Sequence, residues 1–372
     1  MALCHEWLAG RNGSEKTFEA MARALPEADV YGLSHNRDAG LDFGGRPVRT
    51  TFIDRLTPLR DHRMLQLPLM PLAWRYASRR RYDVAVTSSH ACAKGFRPAR
   101  DALHLCYCYT PMRYLWLSSI DARRRAQPRR APAERWLRSW DLASVRWVDD
   151  FAAISNAVAE RIADIYGRPA RVIYPGVDTD FYRPPAAGVS GGFALAVSRM
   201  VPYKRLDLAI RACHRAGHPL VVAGTGPVEP SLRELASRLG AGVRFVIAPD
   251  DDQLRELYRA ADVLVFPAEE DFGIVPVEAQ ACGTPAVVLA KGGTAETVIP
   301  GVTGVLVAAQ DEESMAAGIQ EALSAGYDAG ACRRNAERFS LGAFQENFLD
   351  WVIGAAASRG ITVGDPRTRE TA

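Results

Sequence analysis

Apolar residues along this chain come in short continuous runs separated by longer amphipathic stretches. The runs are "YDVAVTSS" (82–89), "DALHLCYCY" (101–109), "DFAAIS" (150–155), "RVIYP" (171–175), "FALAVS" (193–198), "PLVVAG" (219–224), "VRFVIA" (243–248), "DVLVFP" (262–267) and "PAVVLA" (285–290). Few of them alternate cleanly, as expected for parallel strands covered on both faces. Between them, "LDLAIRACHRAG" (206–217), "EPSLRELASRLG" (229–240) and "DDQLRELYRAA" (251–261) carry helical spacing. This alternation predicts an α/β protein with right-handed crossovers. The N-terminal "HEWLAGRNGSEKTFEAMARAL" reads as a polar, glycine-bearing loop leading into an amphipathic helix.

At 372 residues the chain exceeds what one core usually supports. The Pro- and Gly-rich "YRPPAAGVSGG" (182–192) reads as a linker, dividing the chain into domains at 1–180 and 181–341, with a last helix at 342–357. Two doubly wound, Rossmann-like parallel sheets facing across a cleft would put their chemistry at the carboxyl ends of strands. A net charge of +3 gives no footprint for nucleic acid. No apolar run is long enough to span a membrane and the N-terminus lacks a signal-peptide pattern, so a cytoplasmic location is expected. Seven cysteines, an odd number with no CxxC pair, read as buried free thiols. Only four of the 46 basic residues are lysines, at 16, 94, 204 and 291. In so arginine-biased a chain, a retained lysine suggests a need for a point charge rather than a planar fork.

Five strand-end constellations could carry chemistry. In "VFPAEEDFGIVPVEAQACG", Glu270 and Glu278 are separated by seven residues around a turn from strand to helix. Backbone N–H groups over Phe272, Gly273 and Ile274 would open that helix and suit phosphate oxygens; Glu278 could equally just complement the helix dipole. "VSRMVPYKRLD" presents Arg199 and Lys204, a fork and a mobile charge fit for a diphosphate, or a pair of ordinary surface cations. "GTGPVEP" lacks the third glycine of a dinucleotide fingerprint and argues against a dehydrogenase. In the first loop, Gly13 would permit close backbone approach to a phosphate, while Ser14 could serve as an N-cap. "TSSHACAKGF" places His90 and Lys94, and "TPMRYLW" places Arg113 and Tyr114, after strands of the first domain. A histidine in such a loop is more often structural than functional.

"FPAEEDFGIVPVEAQACGTP", "SRMVPYKRLD" and "GGTAE" (292–296) together resemble the nucleotide-sugar domain of family-4 retaining glycosyltransferases of GT-B fold. "SSHACAKG", "YTPMRYLW", "AISNAVAERI" and "VIYPGVDTDFYRP" are similar to the bacterial polysaccharide mannosyltransferase branch. The resemblance implies that Glu278 holds donor ribose hydroxyls, that Arg199 and Lys204 neutralise the diphosphate, and that Glu270 sits at the donor sugar. It also implies that Gly13 lies beside the phosphates, that His90 contacts the sugar, and that backbone near Val246 and Ile247 borders the base. Lys94, Arg113 and Tyr114 would belong to the acceptor side, and the C-terminal helix would return to the N-terminal domain. Relatives often carry paired glycines in the first loop, where this chain reads "GRNGSEK".

The implied reaction transfers a hexose, with retention and no metal, from a nucleotide diphospho-sugar (a GDP-mannose-like donor in the branch resembled). The acceptor would be a glycan, lipid-linked or small-molecule hydroxyl in cell-surface glycan, antibiotic or other secondary-metabolite assembly. The nucleotide sugar is a substrate, and no cofactor is implied. The alternative is a sugar-nucleotide epimerase or phosphorylase of the same fold, which would need no acceptor or would need free phosphate. In the segment 122–150, Trp136, Trp140, Ala143 and Trp147 recur at helical spacing after an arginine-rich start. They read first as a core-facing stripe; the other reading is a basic, aromatic surface for peripheral contact with the inner membrane face.

Overall fold

The computed structural model describes residues 1–56, 63–78, 80–99, 101–116, 131–186 and 191–368. It divides into two compact units, Met1–Gly176 with Phe344–Ala372, and Val177–Ala343. The strands of the first unit are β1 (Ala2–Leu8), β2 (Asp29–His35), β3 (Val48–Thr50), β4 (Val84–Ser89), β5 (Leu103–Cys108), β6 (Asp150–Ala153) and β7 (Arg171–Val172). They form a parallel sheet in the order β3-β2-β1-β4-β5-β6-β7. The strands of the second are β8 (Ala194–Val197), β9 (Leu220–Gly224), β10 (Val243–Ile247), β11 (Val263–Phe266), β12 (Ala286–Leu289) and β13 (Gly304–Val307). Their order is β10-β9-β8-β11-β12-β13, again all parallel. Each sheet is doubly wound, and its strand order reverses between β1 and β4 or between β8 and β11. In doubly wound folds such a reversal, outside the strands' carboxyl ends, is where ligands bind, because the flanking loops leave to opposite faces.

Three features depart from the linear pattern. First, "ALCHEWL" is the central strand β1, not part of a loop, and all seven of its residues are buried, His5 and Glu6 included. Two polar side chains hide the strand signal here because loop groups, described below, satisfy them. Second, Val177–Tyr182 belongs to the second unit: Val177 bridges Ser340, and the Arg333 guanidinium donates to the Tyr182 carbonyl at 2.7 Å. The division therefore precedes the Pro- and Gly-rich stretch, of which residues 187–190 lie outside the described residues.

Third, the tryptophans of Ala131–Ser144 and the turn after it form a core-facing stripe only in part. Trp136 is 49% exposed and Ala143 is exposed, while Trp140 is half-buried against the first unit's core, Trp147 is half-buried, and Leu137, Asp141, Ser144 and Val145 face inward. The arginine-rich start of that segment, 122–130, lies outside the described residues. The final helix, Leu341–Ala357, buries Phe344, Phe348, Trp351 and Val352 at helical spacing. Its Trp351 indole donates to Asp150 at 2.8 Å, and Phe344 meets Tyr107 edge-on with centroids 5.9 Å apart, both within the first unit. No described helix is long and apolar enough to cross a membrane. All seven cysteines are buried and unpaired with one another.

Candidate functional site

In the second unit, the reversal between β8 and β11 gathers charge. Lys204 ends a short 3-10 turn after β8, and Glu270 lies in the loop after β11. Their ammonium and carboxylate approach to 2.5 Å, with side chains 15% and 16% exposed. The Lys204 ammonium also lies 5.4 Å from the Tyr203 ring centre and 5.6 Å from that of Phe266. This aromatic wall excludes water on two sides and strengthens the attraction. Arg199 is exposed, and its guanidinium donates to the Tyr203 hydroxyl at 2.9 Å. The neighbouring Glu269 pairs with Lys291 at 3.0 Å.

The loop after β11 is held from behind by "GGTAE". Gly292 has φ 70°, and Glu270 and Gly292 form a parallel bridge. A side chain on Gly293 would start 2.0 Å from the Asp271 carbonyl oxygen, so the two backbones can touch only through glycine. Gly273, at φ 98°, then turns the chain into the helix Ile274–Ala281. No side chain caps that helix, although the first N–H groups of any helix lack intrahelical acceptors. Phe272 is buried against Phe339, and Ile274 is half-buried. Glu278 is 8% exposed and accepts a 2.8 Å hydrogen bond from the hydroxyl of Tyr258, which is itself fully buried. Tyr258 was not singled out in the sequence, where "ELYRAAD" shows only helical spacing. Val246 and Ile247 end β10, with Ile247 41% exposed.

In the first unit, the reversal between β1 and β4 encloses Glu6. Its Oε1 accepts from Ser89 Oγ, Ala91 N and Ala93 N, each at 2.9 Å, while His90 N lies 3.3 Å from both carboxylate oxygens. The His90 ring nitrogen Nδ1 stands 3.3 Å from Oε2. Burial pushes the Glu6 pKa up, but His90, His5 and the Ala93 and Ala91 N–H groups outweigh it and hold the carboxyl below its ordinary value. His90 is packed among the rings of Trp7, His5 and Tyr109, at centroid distances of 5.4, 5.6 and 6.0 Å.

A second chain of hydrogen bonds reaches the helix Gly13–Ala24. His5 Nδ1 meets Ser88 Oγ, Ser88 donates to Tyr109, and Tyr109 donates to the Ser14 carbonyl, each at 3.0 Å. With the Ser88 proton directed at Tyr109, His5 must be the donor to Ser88. Burial, with Glu6 partly opposing it, lowers the His5 pKa to about 4 and keeps the ring neutral. Ser14 does not cap the helix, since Asn12 occupies the N-cap position and makes no side-chain cap bond. Ser14 Oγ donates instead to Glu15 at 2.7 Å, and Gly13 is the first helical residue.

Of the expected acceptor-side residues, Arg113 and Tyr114 open a short helix after β5, both half-buried. Lys94 is a correction: its side chain is 2% exposed and its ammonium is paired with the buried Asp141, under the rings of Trp140 and Tyr166. Asp141 also accepts from the Trp116 indole at 2.8 Å and the Tyr166 hydroxyl at 3.0 Å. Burial opposes the lysine's charge, but Asp141 beside it raises the ammonium pKa well above its usual value. An enclosed charge of this kind needs its partner and does not present itself to an acceptor.

Comparisons with known proteins agree with this arrangement. Residues 11–181 match the model of Glycosyltransferase Family 4, and residues 185–339 match that of Glycosyl transferases group 1. A D-inositol 3-phosphate glycosyltransferase 2 from Catenulispora acidiphila is 40% identical over 206 residues, covering 48% of each chain. The D-inositol 3-phosphate glycosyltransferase of Mycolicibacterium paratuberculosis is 38% identical over 213 residues, 52% of this chain and 48% of that one. The matches thus span about half the length of these curated relatives. Among solved structures, Anabaena HepE in complex with UDP and glucose superposes with a TM-score of 0.68 at 18% identity, over 94% of this chain and 99% of its own. Sucrose-phosphate synthase from Thermosynechococcus elongatus gives 0.73 at 19% identity, over 96% and 100%. With both family models placed along it and two doubly wound units of GT-B type, this chain belongs to the family-4 glycosyltransferases.

Proposed function

We propose that the protein transfers a hexose, with retention and without a metal, from a nucleotide diphospho-sugar to a hydroxyl acceptor. The observation that carries this reading is the cluster at the β8/β11 reversal, where Lys204, Arg199 and an uncapped helix start accompany Glu270 and Glu278. When the glycosyl unit leaves, negative charge grows on the β-phosphate. Lys204 and Arg199 stabilise that charge, and pre-placed charges of this kind often supply the largest single contribution to catalysis. In the absence of donor, Glu270 keeps the Lys204 ammonium paired. An arriving diphosphate competes for it and frees Glu270 toward the sugar. Glu278, braced by Tyr258, accepts from ribose hydroxyls, and His90 meets the transferred sugar. The carboxylates are not a glycosidase pair, because one serves the ribose rather than the scissile bond.

Donor and acceptor follow from chemistry and from what the similar proteins are named for. HepE was solved with UDP and glucose, and the curated relatives are named for D-inositol 3-phosphate. UDP-hexoses and a phosphorylated polyol are therefore the first pair to test, beside GDP-mannose and lipid-linked or glycan hydroxyls. The test is thermal unfolding with UDP, GDP, dTDP and ADP and their sugars. A ligand at about 100 times its Kd should add about 2.7 kcal/mol. The expected result is stabilisation by one base and its sugar; no shift with any of them would defeat the reading.

A further inference from the structure

Glu6 is the most enclosed carboxylate beside the first unit's strand reversal, and the transfer reading leaves it without a task. Its Oε1 takes three donors, Ser89 Oγ and the Ala91 and Ala93 N–H groups, from one turn of chain after β4. That is already crowded for a single carboxylate oxygen. Oε2 accepts from the His90 N–H at 3.3 Å and also faces the His90 ring, whose buried Nδ1 stands 3.3 Å away without a hydrogen-bond partner among the described residues. The loop is thus folded around a charge, and the same charge addresses the one side chain of that loop that reaches solvent, His90 at 25% exposed. A purely structural carboxylate would satisfy the turn equally well without a ring nitrogen beside it.

We propose that Glu6 is a positioning residue: its carboxylate holds His90 with the proton on Nδ1, so that Nε2 presents a lone pair to the donor sugar. The assignment rests on the transferase reading for the role of His90, but not for its tautomer. No hydrogen bond joins the ring to the carboxylate, but a carboxylate 3.3 Å from one buried nitrogen of an imidazole favours the tautomer that puts the proton on that side. This is the electrostatic part of the logic by which an acid sets the tautomer of the histidine in a catalytic triad. A sugar hydroxyl would then donate to Nε2. Were the proton on Nε2 instead, the ring would turn a donor toward the sugar and a lone pair toward Glu6, two acceptors facing each other.

Two measurements test this. Long-range proton–nitrogen spectra of histidine-labelled protein, taken without substrate at mildly alkaline pH, should show His90 as the Nδ1–H tautomer. An Nε2–H tautomer overturns the proposal, whether or not any variant folds. Kinetically, Glu6→Gln should lower kcat by ~10-fold or more with donor KM nearly unchanged, and the same substitution added to His90→Ala should cost nothing further. Losses that multiply would mean that Glu6 acts only on the fold. If the wild type turns over no nucleotide sugar, the transferase reading fails, while the tautomer still decides the place of Glu6.

Discussion

At the scale of single residues, the second unit separates holding from turnover. Glu278 is buried and braced by Tyr258, and in the proposed transfer it grips a neutral diol. Lys204 is paired with Glu270, and in the proposed transfer it is needed most when charge develops on the leaving group. Glu278→Gln is therefore expected to raise donor KM roughly tenfold with a smaller effect on kcat, and Lys204→Ala to lower kcat by more than it raises KM. Initial-rate kinetics with saturating acceptor read both, and equal effects on both constants would contradict the division of roles. Lys94 belongs to another class. Lys94→Met would strand the fully buried Asp141 carboxylate, so urea unfolding should show a loss of about 3–5 kcal/mol. Restoring an apolar pair with Asp141→Leu in the same chain should recover part of it.

At the scale of elements, loops decide the site and strands only deliver it. The acidic loop after β11 lies on the backbone of "GGTAE", and two glycines allow that contact. Gly293→Ala should push the loop outward and weaken donor binding more than it lowers the melting temperature, as nucleotide titration beside thermal unfolding would show. Much of this loop was legible in the sequence, because Gly273, Pro276 and the spacing from Glu270 to Glu278 are local features. The Glu6 turn was not. Ser89, His90, Ala91 and Ala93 are more than eighty positions from Glu6, and only the pairing of β1 beside β4 brings them to it. For the same reason Lys94 read as an acceptor-side residue: its partner Asp141 lies 47 residues away.

At the scale of the whole molecule, the two units differ in how they should meet acid. His5 and His104, both in the first unit, are fully buried and have pKa values lowered, chiefly by burial, from 6.5 to about 4. Above pH 6.5 they are neutral whether the chain is folded or not and add no pH dependence. As pH falls from there toward 4, the unfolded chain binds protons that the folded one refuses. Stability then drops by about 1.4 kcal/mol per pH unit for each ring. Glu6, held below its ordinary pKa, adds a loss of the same sign at the acid end. Hydrogen exchange followed from neutral to acid pH should show the first unit opening earlier than the second; equal loss of protection would contradict the account.

What the linear order determined by itself is the α/β class, the strands β4 to β7 of the first sheet and β8 to β12 of the second, and the strand-end placement of Arg199, Lys204, Glu270, Glu278 and His90. These follow from local spacing, since a run of apolar residues ended by a turn reports its own strand and its own exit. What only the tertiary structure decided is which polar residues are enclosed together: Glu6 with the turn after β4, Lys94 with Asp141, Glu278 with Tyr258, and the last helix on the first unit. A buried charge is tolerable only with its partners, and partners brought from distant strands and helices leave no periodic trace along the chain.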